Sequence, residues 1–243
     1  YIWGRKAEDI GVLLESDLST SHPQPSWIHE IQYETLVAGT FSIGGVPTPL
    51  CETVFFHTPS KSMIVTDAVA RIPRHIPELS NPDNLLLVSK TSTSDPPPDD
   101  TPAQRLVGWK KNCLLISYFF PEHEELDPQK PGVVTWTEGW EDNFDQLADR
   151  LLVPPVVRTL LYPQNPTKVK EWVHHVSTRW EFTSIIPAHW DAPIAATPTQ
   201  FRDCFRFLDD DTIDAFPDND LKRGLKPLGD LALRGLSSSS SSS

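Results

Sequence analysis

The clearest pattern in the chain is a pair of apolar runs separated by a polar turn. Cys51-Glu52-Thr53-Val54-Phe55-Phe56-His57 is rich in β-branched and aromatic residues, Thr58-Pro59-Ser60-Lys61 supplies turn residues, and Ser62-Met63-Ile64-Val65-Thr66-Asp67 returns. This predicts a β-hairpin. The unbroken stretch Met63-Ile64-Val65 predicts burial on both faces, as in a layered α/β protein. The last third alternates. Residues 140–152 hold Phe144, Leu147 and Leu151 at helical spacing and stop before Pro154-Pro155. Residues 156–162 read as a strand. Pro166 opens a helix in which Val169, Trp172, Val173, Val176 and Trp180 form one stripe. Residues 182–186 read as a short buried strand. Thr197-Pro198 starts a final helix that turns Phe201, Phe205 and Leu208 inward. Trp172 and Phe205 are therefore expected in the core. A hairpin, helices and then β-α-β-α implies a sheet covered by helices, an α/β fold.

Two segments break the pattern. Residues 89–101 contain Asp95-Pro96-Pro97-Pro98-Asp99-Asp100, and residues 121–139 begin with an acidic stretch. Proline cannot sit in a helix interior or a central strand, so both read as exposed loops, longer than usual. The chain opens at Tyr1 without a methionine or a signal-like apolar run, and it closes in a serine tract, 237–243. The expectation is one domain over 1–210, incomplete at its N-terminus, followed by a tail over 211–243.

Composition narrows the function classes. In 243 residues, 21 Lys and Arg face 33 Asp and Glu, a net charge of −12. An acidic surface repels phosphate backbones, so neither nucleic acid nor an anionic membrane surface is an expected partner. No run of ~18 apolar residues predicts a membrane span. The three cysteines are odd in number and far apart, with no Cys-x-x-Cys pair, which suits a reducing compartment rather than a disulfide or zinc-ribbon scaffold.

Candidate chemistry is sparse. There is no nucleophile elbow, P-loop, dinucleotide-binding glycine turn or His-Glu-x-x-His helix. His174 falls on the solvent side of its helix, His123 lies in the acidic loop, and His22, His29 and His75 have no ligand spacing around them. Two positions differ. Asp67 ends the buried run 63–65, and His189 follows Ile185-Ile186-Pro187-Ala188. Ligands of open α/β sheets bind in the crevice beyond strand C-termini. An Asp and a His there could share a metal or a proton. Equally, Asp67 could cap a turn while His189 bonds to nearby chain.

Several segments carry a resemblance. Phe55-Phe56-His57, Met63-Ile64-Val65-Thr66-Asp67-Ala68-Val69 and Ile72-Pro73-Arg74 are followed in order by Gly108-Trp109-Lys110 and by Leu152 through Leu160. Ile185-Ile186-Pro187-Ala188-His189 and Ala192-Pro193-Ile194 complete the set, which resembles the DUF4336 family over roughly the first 209 residues. That family in turn resembles the metallo-β-lactamase superfamily. The resemblance implies an αββα sandwich with a metal site at its sheet edges, holding zinc, iron or manganese. It places Asp67 and His189 at two metal-ligand positions. The superfamily's His-x-His-x-Asp-His motif is absent, and Gly44-Gly45-Val46-Pro47-Thr48-Pro49 holds no histidine where another ligand is expected. His57 precedes the turn and is expected to be structural.

Two functions follow from this resemblance. One is a metal-dependent hydrolase acting on a small molecule, inactive in this chain for want of ligands. The other is a non-catalytic module, metal-free, that binds a small molecule or a partner. The resemblance also implies an intracellular site, plastid in plant and algal relatives. An incomplete domain would leave one edge of the 51–67 hairpin unpaired, with Phe55 and Phe56 near solvent, so self-association is expected.

Overall fold

A computed structural model describes residues 27–43, 46–210, 212–213 and 216–230. The expectations for residues 1–26, for Gly44-Gly45 and for the serine tract lie outside these. The fold is mixed α/β, built on a five-stranded mixed sheet. Strands β1 (Ile31–Ile43) and β2 (Val46–His57) form a long antiparallel pair, and β2 pairs antiparallel with β3 (Ser62–Val65). Strand β3 then runs parallel to β6 (Ser184–Pro187), and β7 (Ile194–Ala195) closes the sheet antiparallel to β6.

The predicted hairpin is therefore present, but its free edge is not bare. β1 covers β2 from Ile31 opposite His57 to Ile43 opposite Val46. Phe56 is buried and stacks on Trp180, while Phe55 is half-buried beside Trp27 and Tyr33. The expectation of both rings near solvent is corrected by that pairing. A second correction concerns the faces. Met63 and Val65 are buried, yet Ile64 between them is 38% exposed. The sheet buries one face, so its strands alternate.

That face packs on α5 (Pro166–Arg179) and α6 (Pro198–Asp203). α5 starts with Pro166 at its first position and Asn165 as cap. Its predicted stripe holds, with Val169, Trp172, Val173 and Val176 buried and Trp180 buried just beyond. In α6 the Thr197 hydroxyl accepts the Gln200 backbone N–H, and the Gln200 side chain accepts the Thr197 N–H, completing a capping box. Trp172 meets Phe201 and Phe205 edge-on, and the two phenyl rings tilt against each other, which seats both helices on the sheet.

A second core is helical. It lies among α1 (Pro82–Ser89), α2 (Pro102–Tyr118), α3 (Trp140–Leu147) and α4 (Pro155–Leu160), with α7 (Asp218–Asp220), which continues as a π-helical turn (Leu221–Leu225). Gly108 lets α2 approach α1 closely, since a Cβ there would stand 1.9 Å from the Leu85 carbonyl oxygen. The chain leaves β3 through buried Ala68, Val69 and Ala70, and Ala70 bridges to Leu152, joining the two cores.

Residues 156–162 are helical, not extended. Pro155 occupies the first helical position of α4, where its missing N–H costs nothing and its φ is preset. Those terms and packing on both cores outweigh the β preference of Val156 and Val157. The helix predicted over 140–152 stops at Leu147, because Ala148 and Leu152 turn to bridge Ile72 and Ala70. The two loops are also more ordered than expected. Residues 121–139 contain the hairpin of β4 (Glu124–Leu126) and β5 (Val134–Trp136). Thr93 N–H donates to Val134 O and Trp136 N–H to Thr91 O, so the first loop pairs with the second.

Candidate functional site

The site is built where parallel neighbours β3 and β6 end side by side. Val65 lies opposite Pro187, and Ala188 N–H donates to Thr66 O at 3.3 Å. The next residue of each segment is a predicted site residue. Asp67 Oδ1 and His189 Nε2 stand 3.4 Å apart, both side chains partly exposed. The sheet edge thus brings the two candidates together at one end, on adjacent strands. Beyond them Asp191 N–H donates to Arg71 O, and the Arg71 guanidinium donates through Nε and Nη2 to Asp191 Oδ2, pinning the loop that carries His189.

Sequence reasoning passed over a further acidic residue. Glu52 projects from β2 in phase with Val54 and Phe56, on the buried face, and is 5% exposed. Its Oε1 accepts the Thr66 N–H at 2.7 Å and its Oε2 the Asp67 N–H at 3.2 Å. The carboxyl therefore holds the backbone that presents Asp67. Burial pushes it up from 4.5 to about 7, against the lowering effect of those N–H groups and with a further push from the charge on Asp67. A signal was available: a lone acid in the apolar phase of an alternating strand is buried, and a buried acid needs partners.

Glu52 and Asp67 line one pocket of about 350 Å³. Its other walls are mostly apolar, with Leu50 from β2, Val156 and Val157 from α4, and Leu161 beyond it. Misreading α4 as a strand hid this wall. Tyr162 is fully buried behind the region. Its hydroxyl has no hydrogen-bond partner, and its pKa is raised by burial and then by the charges of Glu52 and Asp67.

The other histidines among the described residues stay apart from this site. His57 sits at the far end of the hairpin, with Ser60 Oγ at 2.8 Å and Glu30 Oε1 at 3.5 Å. His174 is exposed, as are His29 and His75. His123 is not simply solvated: its Nδ1 lies 3.1 Å from Thr137 Oγ1, inside the paired loops. Among the described residues no three metal-ligating side chains come together. Asp67 and His189 make two donors, and the oxygens of Glu52 are turned to backbone N–H groups. A catalytic zinc site uses three protein ligands, so the described residues alone do not fit one. Cys51, Cys113 and Cys204 are free thiols. No helix of the described residues is long and apolar enough to cross a membrane.

The sequence model of one family, described as a domain of unknown function (DUF4336), matches residues 5–207. The chain belongs to the DUF4336 family. The match spans the whole five-stranded sheet and the Asp67–His189 edge and ends before α7, so the candidate site lies inside the DUF4336 domain. No curated protein and no solved structure matches the chain.

Proposed function

We propose that this DUF4336 domain is a small-molecule-binding module whose site is the pocket beside the ends of β3 and β6. The observation that carries this reading is the placement of Glu52 and Asp67 on the wall of an otherwise apolar 350 Å³ concavity, with His189 paired to Asp67. Small-molecule sites have this form, apolar walls with a few placed polar groups, and this volume falls at the small end of their range. A thermal-shift screen of the purified chain tests it. A ligand should raise the melting temperature of the wild type and of Met63→Leu, and fail to raise that of Val157→Trp, whose indole fills the pocket. Ligand binding that Val157→Trp leaves intact would place the site elsewhere.

A metal-dependent hydrolase is the second reading, favoured by the 3.4 Å approach of Asp67 Oδ1 to His189 Nε2. It needs at least one donor more than the described residues bring together. Elemental analysis of protein purified without added metal decides it: a stoichiometric metal lost in both Asp67→Ala and His189→Ala supports the reading, and metal-free protein refutes it. The finer fold assignment, an αββα sandwich, requires a second layer over the open face of the sheet. Val37, Ile64 and Ile186 are 38%, 38% and 37% exposed there, apolar residues of the kind a second layer would cover.

A further inference from the structure

The pocket carries a charge as well as a shape. We infer that it takes an organic ammonium ion with a short apolar tail, the head held by Asp67 and Glu52 and the tail lying against Val157 and Leu161. The inference rests on the pocket reading above and adds the sign and form of the ligand. No lysine, arginine or histidine lines the pocket, whereas two carboxyl groups do. An anionic ligand would meet both without a compensating cation, and a neutral one would leave them unmatched.

Glu52 supplies the independent observation. A carboxyl that is 5% exposed is ordinarily paired with a cation. Among the described residues no lysine, arginine or histidine lies within ion-pair distance of Glu52, and only backbone N–H groups bond to it. Each carboxylate oxygen offers two acceptor positions, so the backbone N–H groups of Thr66, Asp67 and Ala68 leave capacity unused. An ammonium head, a donor with three N–H bonds, answers that capacity, and the apolar walls answer an alkyl tail. His189 Nε2 lies 3.4 Å from Asp67 Oδ1, so the ligand head shares that carboxylate with the imidazole.

The test compares three six-carbon probes on the full chain by calorimetry and by backbone amide shifts: n-hexylamine, n-hexanol and hexanoate at pH 8. n-Hexylamine should bind at least about tenfold more tightly than n-hexanol, with hexanoate weaker still, as charge-assisted bonds to carboxylates require. Its shifts should centre on Thr66, Asp67 and Val157. Asp67→Asn, on a partly exposed side chain, should keep the fold and lose about tenfold in amine affinity while leaving n-hexanol unchanged. Equal or tighter binding of n-hexanol or hexanoate would overturn the ammonium inference and leave the pocket reading standing. Failure of all three probes to perturb the pocket would overturn the inference and count against the pocket itself. An amine effect unchanged in Asp67→Asn would mean that the head lies elsewhere, and would also overturn it.

Discussion

Glu52 accepts the backbone N–H of Thr66 at 2.7 Å, so the buried face of β2 holds the end of β3 in place. Burial of this carboxyl, working against that bond, makes stability depend on its protonation. In the unfolded chain a glutamate titrates near 4.5, and in the fold Glu52 titrates near 7. Between those values the folded state keeps a proton that the unfolded state has released. The stabilisation from that proton is full below pH 4.5 and is lost as pH rises through 7. A shift of this size corresponds to about 3 kcal/mol. The stability difference between wild type and Glu52→Gln, from urea unfolding, should shrink by about that amount between pH 4.5 and 7.5. A flat difference would show that Glu52 is already ionised across the range.

Lys111 sets up the opposite slope in the helical core. It is 2% exposed, its Nζ donates to the carbonyls of Ser89 and Lys90 at the end of α1, and it lies 5.1 and 5.3 Å from the ring centres of Trp136 and Trp140. Helix-end carbonyls and indole faces favour the cation. Burial still lowers its pKa from 10.5 to about 8. Between those values the unfolded state binds the extra proton, so wild-type stability relative to Lys111→Met should rise from pH 8 toward 10.5, by about 3 kcal/mol over the full interval. Cys113 and Tyr118, both pushed up by burial, bias the absolute curve the other way, so the difference between the two proteins is the quantity to follow.

Trp172 anchors the seam between α5 and α6, with Phe201 and Phe205 at 6.1 and 6.3 Å between ring centres. Trp172→Ala should cost about 3–5 kcal/mol. Its Nε1 is buried without a partner, so Trp172→Phe discards an unsatisfied donor and should cost clearly less. Guanidinium unfolding midpoints read both. Equal losses would mean that the indole N–H is bonded in solution.

What the sequence makes legible is what local pattern controls. The hairpin shows because its β-branched runs flank a turn, and α5 shows because Pro166 and a clean stripe agree on start and phase. Asp67 and His189 are legible for the same reason, each following a short buried run. Partners distant in the chain are not. β1 reads poorly alone because its role is set by β2, and β4–β5 form where a proline-rich loop supplies their neighbours. Val156 and Val157 favour strands locally, yet Pro155 and two flanking cores make them helical. Glu52 was visible in phase but not in consequence, since its partners Thr66 and Asp67 arrive only when the hairpin closes.

The bare side of the sheet yields the last prediction. Ile64 and Ile186 are cross-strand neighbours in the parallel pair, both more than a third exposed, and Phe55 lies opposite Ile64 on β2. Met63, one residue earlier, is fully buried on the other face. Adjacent strand positions therefore differ in environment while sharing the same backbone pairing, so a charge placed at each compares the faces directly. Ile64→Lys keeps its ammonium in water and loses only part of an apolar contact, so it should cost less than about 1 kcal/mol. Met63→Lys buries an unpaired cation among Phe56, Ile185 and Trp180 and should cost several kcal/mol or prevent folding. Chemical unfolding of the two variants measures the contrast. A cost at Ile64 as large as at Met63 would mean that another layer covers this face in solution, as an αββα sandwich requires. A small cost would leave the sheet one-sided in this chain, its open face held by β1 and β2 pairing and by burial on α5 and α6 alone.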